Sequence, residues 1–435
     1  MSNPIVVKRV EHVRLYPTNR QRGRLQFMLD VTRELYNALL EERREAYRRR
    51  GVRVGMRQQY RELTILRTPA HRIDSRLRAV YRECEDAVLH RLELAFAAFF
   101  RRVATSQTPG YPRYKSAGRW AQLEFSHGAR ALKFNTSQSK ITVPGVGAIR
   151  LRKGRAVPVF GRAWLVRKNG RWYACFECQR DVNPLPQSRH VIGIDRGAHV
   201  LAATSDGLLI GNKAFGERNR HRIARHQRRL EELSDRDAAG RVRNRHDPRR
   251  KAAALQFARA KEREANRRRD YLHKVARSIV DSAGIIALER LRLRAMTSSA
   301  KGSIEEPGRN VAAKAALNRK VLDAGLGQLH RLIAEKAEEA ARRVVLIDAR
   351  FSSQECSRCG HVAKENRRRR RFACVRCGFC CHADVNAALV IRRRAQLSAL
   401  RMPMPVRSRS RSTMLHKAFT TNDFTCTRGP AEVSA

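Results

Sequence analysis

The sequence predicts an α/β multidomain protein. Apolar residues recur at helical spacing through residues 20–105, and short alternating segments separated by Gly and Asn-Gly follow in residues 106–182. Beyond a linker at residues 183–186, which holds two prolines, strands alternate with helices. A chain of 435 residues suggests two or three domains, at about 150 residues per domain. An apolar content of 42% excludes a wholly disordered basic protein.

The first half of the chain combines one early strand, a helical unit and a small sheet. Residues 4–15 alternate well enough for a strand, and residues 20–105 carry leucines at helical spacing among Arg and Glu. The turn-rich segment after Thr108 leads into the short strands. Residues 1–19 and 106–182 therefore predict a small β-barrel or sheet, into which the helical unit is inserted.

The second half predicts a meander followed by a strand-helix-strand connection. VIGID, VLAATS and LLIGN form the meander, with Asp206-Gly207 as the hairpin turn between the last two. The strand 284–289, the helix 326–343 and the strand VVLID then predict a parallel pair. A helix is expected over residues 383–394, and residues 401–435 predict a disordered basic tail.

The charge points to a polyanionic partner. The formal net charge is +52, and the phosphates of nucleic acid are the usual counter-charge for such an excess. Much of the positive charge lies in residues 218–277. This stretch is either an arm that contacts phosphates or a pair of solvated helices. A surplus for solubility or an acidic membrane surface is the weaker interpretation. Because the sequence shows no signal-peptide pattern and no membrane-spanning run, we expect a cytoplasmic protein.

The cysteine spacing predicts a structural zinc site. Four of the ten cysteines form C-x2-C-x14-C-x2-C, and each CxxC is followed by Gly. These are Cys356, Cys359, Cys374 and Cys377. Four thiolates can close tetrahedrally around zinc and leave no open position for catalysis. Cys380, Cys381, His361 and His382 are alternative ligands, whereas Cys175 and Cys178 are expected in the core.

Three carboxylates predict a second metal site. Asp195 ends the apolar strand VIGID, Glu289 ends IIALE, and Asp384 begins the helix ADVNAALVI. Taken singly, each could be a helix cap or one partner of an ion pair, because a carboxylate at the end of a buried strand needs a cation or hydrogen bonds. Taken together, they match a phosphodiesterase site that holds two Mg²⁺ ions.

The ordered set of motifs resembles the TnpB family, the OrfB-type proteins of bacterial insertion sequences, which are similar to compact type V CRISPR effectors. The motifs are VIGIDRG, IIALERLRLRAM, FSSQECSRCGH with FACVRCG, and ADVNAALVI, together with PGYPRYKS and LYNALLEERREAY in the first half. The resemblance covers residues 1–395. It implies an RNase H-like, RuvC-type nuclease domain at residues 183–350 and 382–400, interrupted by a zinc-binding loop at 351–381.

The resemblance further implies that the first half is a wedge-type β-barrel (residues 1–19 and 106–182) carrying a helical recognition domain (residues 20–105). Members are RNA-guided DNA endonucleases, so the expected partners are a guide RNA and double-stranded target DNA. Asp195, Glu289 and Asp384 match the family's catalytic, magnesium-binding carboxylates, and the four cysteines match its zinc ligands. His382 departs from the acid that the family often has two residues before the last catalytic Asp.

Five residues are predicted to contact nucleic acid: Tyr111, Arg113, Tyr114 and Lys115 of PGYPRYKS, and Arg196, the cation beside Asp195. Tyr111 and Tyr114 form a basic-aromatic cluster with Trp120 and Phe125, which either stacks on bases or belongs to the β-barrel core. The alternatives to a transposon-encoded endonuclease are a guide-dependent DNA-binding regulator without cleavage and a type V CRISPR effector. A transposase that joins strands directly is disfavoured because the chain has no His-x-His pair.

Overall fold

The structure is a computed structural model that describes residues 5–68, 75–135, 139–152, 159–303, 305–348 and 350–400. The predicted basic tail lies outside these residues. The chain divides into an N-terminal unit, Val6–Asp181, and a C-terminal unit that begins at Val182. Among the described helices, none is long and apolar enough to span a membrane.

Within its described residues, the N-terminal unit contains one early strand, four helices and then six more strands with a short helix among them. They are β1 (Ile5–Tyr16), α1 (Asn19–Arg50), α2 (Met56–Leu66), α3 (Ser75–Arg78), α4 (Arg82–Ala104), β2 (Gln122–Phe125), α5 (Gly128–Ala131), β3 (Lys133–Asn135), β4 (Lys140–Val143), β5 (Gly147–Leu151), β6 (Phe160–Lys168) and β7 (Arg171–Val182). Thr18 is the N-cap of helix α1 and forms a capping box with Gln21, and Gly51, in the left-handed region, is its C-cap.

One hydrophobic core joins the sheet and the helices of this unit. The seven strands form a single sheet in the order β2-β6-β7-β1-β5-β4-β3. The ring of Trp120 lies 5.2 Å from that of Tyr36 in α1, and its indole N–H donates to Thr32 at 2.9 Å. Cys175 and Cys178 are buried in β7, which confirms the core placement predicted for them. Closure of the sheet into a barrel stays a prediction.

The C-terminal unit contains eight strands and six helices within its described residues. They are β8 (Val191–Asp195), β9 (Val200–Thr204), β10 (Leu209–Gly211), α6 (Phe215–Glu232), α7 (Pro248–Ser282), β11 (Ile285–Glu289), α8 (Leu293–Met296), α9 (Val311–Ala324), α10 (Leu326–Glu339), β12 (Arg343–Ile347), β13 (Arg367–Arg368), β14 (Arg371–Ala373), β15 (Cys380–His382) and α11 (Ala383–Leu400).

Five of these strands form a mixed sheet in the order β10-β9-β8-β11-β12. Strands β8, β9 and β10 pair antiparallel, so the predicted meander is confirmed. Strand β11 runs parallel to β12, which confirms the predicted parallel connection. It also runs parallel to β8, a pairing that the sequence did not predict. Apolar side chains of α7 and α10 pack on the sheet and form the core of the unit.

The predicted basic stretch folds as two helices that pack against each other, α6 and α7. Helix α6 has no buried residue, and its basic side chains are distributed along its length. Helix α7 begins at Pro248, with Asp247 as its N-cap. The pair is thus a helical hairpin with a largely exposed basic surface.

Candidate active site

Two of the three predicted catalytic acids stand at the ends of neighbouring parallel strands. Asp195 is the last residue of β8 and Glu289 is the last residue of β11. The two strands are in register, with Ile194 opposite Leu288. Because parallel strands end at the same edge of a sheet, the two acids leave that edge side by side.

Helix α11 brings the third acid to the same edge. Asp384 lies in the first turn of α11, and the helix packs closely on β8 at Gly193. A Cβ atom at Gly193 would lie 2.1 Å from the carbonyl oxygen of Ala388 and 2.5 Å from the backbone nitrogen of Arg392. The G in VIGID therefore permits the close approach of strand and helix on which the site depends.

The three carboxylates are coupled electrostatically. Burial raises the pKa of Asp195 to about 7, and repulsion from Glu289 and Asp384 adds to this increase, while Arg367 and Arg196 oppose it. Burial also raises the pKa of Glu289, and Arg196 opposes that shift. The acids thus concentrate negative charge that the two guanidinium groups only partly offset.

Arg196 makes two hydrogen bonds to Glu289. Its side chain is 5% exposed, and its Nη2 donates to the backbone carbonyl of Glu289 at 2.5 Å. Its backbone N–H donates to the Glu289 carboxylate at 3.2 Å. A phosphate contact for Arg196 stays a prediction, because the structure commits this guanidinium to the main chain of β11.

Arg367 was not predicted as a site residue, yet its Nη2 lies 2.9 Å from the Asp384 carboxylate. The run of five arginines at residues 367–371 was a signal of positive charge there. The other predicted feature of this edge, His382, accepts the backbone N–H of Asp384 at 3.3 Å through Nδ1.

The four predicted zinc ligands meet in one cluster. The sulfur atoms of Cys356 and Cys377 lie 3.7 Å apart, and those of Cys359 and Cys374 lie 3.6 Å apart. All four ligand atoms lie within 4.8 Å of one another. Tetrahedral zinc with Zn–S bonds of about 2.3 Å requires sulfur atoms about 3.8 Å apart. The cluster is therefore compatible with a structural zinc.

Both cysteine pairs sit on the same kind of turn. Gly360 donates its N–H to Cys356 at 2.9 Å, and Gly378 donates to Cys374 at 3.0 Å. Both glycines have positive φ, 77° and 71°, which a side chain would disfavour. Within the described residues, this is the one group of three or more His, Cys, Asp or Glu ligand atoms that lie so close together. The three carboxylates do not form a closed ligand set of that kind.

The predicted nucleic-acid contacts of PGYPRYKS lie in the N-terminal unit. Tyr111 and Tyr114 are 43% and 41% exposed, and Arg113 is exposed. Lys115 is anchored through its backbone N–H, which donates to Asn37 at 2.8 Å. The tyrosines and Arg113 are therefore accessible to a ligand.

The aromatic cluster of which Tyr111 and Tyr114 were predicted to be part divides in the structure. Trp120 and Phe125 are 3% and 0% exposed. Of the two interpretations of the cluster, the core one is correct for these two rings.

Three family models match the chain. The model described as "Probable transposase" matches residues 173–300, and the "Cas12f1-like, TNB domain" model matches residues 327–391. Asp195 and Glu289 fall within the first match, while Asp384 and the four cysteines fall within the second. The "Helix-turn-helix domain" model matches residues 7–52, where the structure has strand β1 followed by the single helix α1.

Two curated relatives match most of the chain. The "Putative RNA-guided DNA endonuclease InsQ" of Escherichia coli (strain K12) is 33% identical over 306 residues, which cover 69% of this chain and 71% of the relative. A "Putative RNA-guided DNA endonuclease" of Streptomyces pristinaespiralis is 30% identical over 391 residues, 88% of each protein. The chain belongs to the TnpB family of OrfB-type proteins.

A shorter match supports the relation to CRISPR effectors in one region. This TnpB-family chain is 44% identical over 61 residues, 14% of each protein, to the "CRISPR-associated endodeoxyribonuclease Cas12f1" of Sulfoacidibacillus thermotolerans. Among solved structures, the "mini-RNA-guided endonuclease CRISPR-Cas_phi3" aligns with 93% of this chain and 94% of its own, with a TM-score of 0.49 and 9% identity. A score of that size does not establish a shared architecture, so family membership rests on sequence.

Proposed function

We propose that this TnpB-family protein is a transposon-encoded, RNA-guided and magnesium-dependent DNA endonuclease. The observation that carries the proposal is the meeting of Asp195, Glu289 and Asp384 at one sheet edge. They occur in a chain whose two extensive relatives are both named as putative RNA-guided DNA endonucleases.

The three acids fit magnesium in charge and in ligand type. Burial raises the pKa of Asp195, and repulsion from Glu289 and Asp384 adds to the increase. A divalent cation would offset this concentration of negative charge. Mg²⁺ prefers carboxylate oxygens and usually keeps several water ligands, so it does not require a closed protein cage. When bound, such ions supply a nucleophilic water and stabilise the leaving oxygen of the phosphodiester.

The protein's own residues hold this arrangement together. Arg196 fixes the main chain and the carboxylate of Glu289, so Glu289 presents its remaining oxygen to a metal. The close packing at Gly193 fixes α11, and with it Asp384. Desolvation of Asp195 strengthens its electrostatic attraction for a cation.

We further propose that the cysteine cluster holds a structural zinc ion that shapes the edge of this site. The three-stranded sheet β13-β14-β15 leads directly into α11. Phe372, Cys356, Cys374 and Ala383 share a small buried cluster. Closing the four-cysteine loop therefore also fixes the first turn of α11, where Asp384 lies.

In this proposal the five-stranded sheet and α11 are the RuvC-type, RNase H-like nuclease domain, interrupted by the zinc-binding loop. The N-terminal unit supplies the wedge-type sheet and the helical recognition region. The net charge of +52 and the exposed basic hairpin α6–α7 suit the backbones of a guide RNA and of its heteroduplex with target DNA.

The test is to express the gene with its native flanking DNA, purify the protein at high salt and sequence the RNA that accompanies it. We expect one RNA species with a constant scaffold that maps to the end of the element. Reprogramming this RNA should direct Mg²⁺-dependent cleavage of a matching DNA, and chelation should stop cleavage reversibly. A random mixture of cellular RNA would contradict RNA guidance.

Asp195→Ala should reduce cleavage by about a thousandfold or more, since the metal site supplies several kcal/mol of transition-state stabilisation. RNA-guided DNA binding should survive. Asp270→Ala, which removes an exposed acid from α7 that pairs with Lys274, is the matched control and should cleave normally. Guided binding without cleavage by the wild-type protein would instead support the regulator.

A further inference from the structure

Arg367 pairs with a proposed catalytic acid although it belongs to the four-cysteine loop. Its Nη2 lies 2.9 Å from Asp384 Oδ1, and the two side chains are 32% and 18% exposed. The ion pair is therefore partly shielded from water. It also occupies one oxygen of a carboxylate that the proposed function assigns to magnesium.

The loop holds Arg367 in place through the preceding residue. Asn366 is 1% exposed, and its side-chain amide donates to the carbonyl of Gln354 at 2.8 Å. Its side-chain oxygen accepts the N–H of Val375 at 2.9 Å. On the other side, Arg367 pairs with Phe372 across the hairpin of β13 and β14. The main chain that carries this guanidinium is thus held by the fold of the loop.

The charge balance at the site gives Arg367 a second effect. Besides contacting Asp384, its positive charge opposes the increase in the pKa of Asp195. Arg196 donates to the backbone of Glu289, whereas Arg367 contacts Asp384 and also acts on Asp195. A divalent ion bound to the same acids would repel the guanidinium and would compete with it for the Asp384 carboxylate.

We propose that Arg367 is a resident counter-cation of the nuclease site, which competes with divalent metal for Asp384 and is displaced when the metal binds. It is a positioning residue and not a metal ligand. In the absence of metal it stabilises the acid cluster, and it thereby sets the metal concentration that the site requires. This inference rests on the proposed function, since it takes Asp384 as a metal ligand.

The test measures metal binding without nucleic acid. Mn²⁺ is titrated into the zinc-loaded full-length protein and followed by electron paramagnetic resonance, and the binding that remains in Asp384→Ala is subtracted. We expect Arg367→Gln to lower the apparent Kd for Mn²⁺ roughly three- to fivefold, the size typical of a partly exposed ion pair. Arg367→Lys keeps the charge and should retain most of the competition.

Arg368 provides the matched control. It is the next residue of β13, carries the same charge and is exposed. Arg368→Gln should change the Kd less than about twofold, as expected for a screened surface charge. Zinc content and circular dichroism establish that each variant is folded.

Tighter Mn²⁺ binding in Arg367→Gln alone supports the competition. Weaker binding would overturn it and would mean that Arg367 orients Asp384 for the metal. Equal binding in wild type and Arg367→Gln would overturn it as well. Because this readout involves neither guide nor cleavage, failure of the proposed nuclease function would be seen separately, as metal binding at Asp384 without guided cleavage.

Discussion

The cysteine cluster and the carboxylate cluster lie in the same unit but are built in opposite ways. The four cysteines come from 22 consecutive positions, 356–377, and their sulfur atoms already lie within 4.8 Å of one another. The three acids come from two strands and a helix that are far apart in sequence. They repel one another at a shared sheet edge.

The difference suggests that metal binding at the cysteine cluster stabilises the fold, whereas the acid cluster depends on a fold that is already formed. Four thiolates would leave a bound zinc ion no open position, so the free energy of zinc binding would go into folding the loop. The acid cluster depends on the surrounding fold to hold its like-charged carboxylates close together. The repulsion between these carboxylates favours the binding of a cation. We therefore expect damage to the first site to reach the second, but not the reverse.

The largest effect is expected for Cys356→Ser. The buried thiol of Cys356 contributes to the small core that contains Phe372 and Ala383. We expect loss of the bound zinc, local destabilisation of about 3 kcal/mol or more, and loss of cleavage because the start of α11 loosens. Zinc content by elemental analysis and resistance to proteolysis in the loop are the measurements.

Asp195→Ala is the reciprocal control for Cys356→Ser. It should keep zinc and fold at least as stably as the wild type, because it removes a desolvated charge that two neighbouring acids repel. Unchanged zinc content in Cys356→Ser would defeat the ligand assignment. Zinc loss in Asp195→Ala would mean that the two sites depend on each other in both directions.

A smaller effect is expected for Gly193→Ala, which tests the packing beneath the acid cluster. The added methyl group would meet the backbone of α11 at Ala388 and Arg392, so the helix must shift. We expect a loss of about 1–3 kcal/mol in stability. Cleavage should fall up to about a hundredfold, the cost of a displacement of about 1 Å in a catalytic group.

Gly211→Ala is the control for that packing effect. Gly211 ends the edge strand β10, and a Cβ atom there would meet no atom within 4 Å. This variant should retain both thermal stability and cleavage. Wild-type cleavage by Gly193→Ala would show that Asp384 does not depend on the close approach of α11 to β8.

The sequence predicted the parts of the fold that local pattern determines. The CxxC pairs, the apolar strands before Asp195 and Glu289 and the Asp206-Gly207 hairpin are encoded within a few residues each, and the structure has all of them. That Asp195 and Glu289 lie side by side comes from the parallel pairing of β8 with β11, which the sequence pattern did not predict.

Side-chain contacts between segments that are distant in sequence could not be derived from local sequence patterns. A run of five arginines does not tell which guanidinium turns inward, because that choice depends on the register of β13 with β14. Nor does a basic-aromatic segment distinguish the exposed Tyr111 from the buried Trp120. Nor does the position of Arg196 next to Asp195 show that its guanidinium donates to the backbone carbonyl of Glu289 and not to a phosphate.

The smallest effect is expected for Cys380→Ser, which asks how closed the cysteine cluster is. Cys380 is exposed, and its thiol donates to the carbonyl of Gly378 at 3.3 Å, outside the set of four sulfur atoms. A hydroxyl can make the same bond, so zinc stoichiometry, thermal stability and cleavage should all match the wild type. Zinc loss in this variant would show that Cys380 takes part in zinc binding. The four-cysteine set would then not be the closed structural site that we propose.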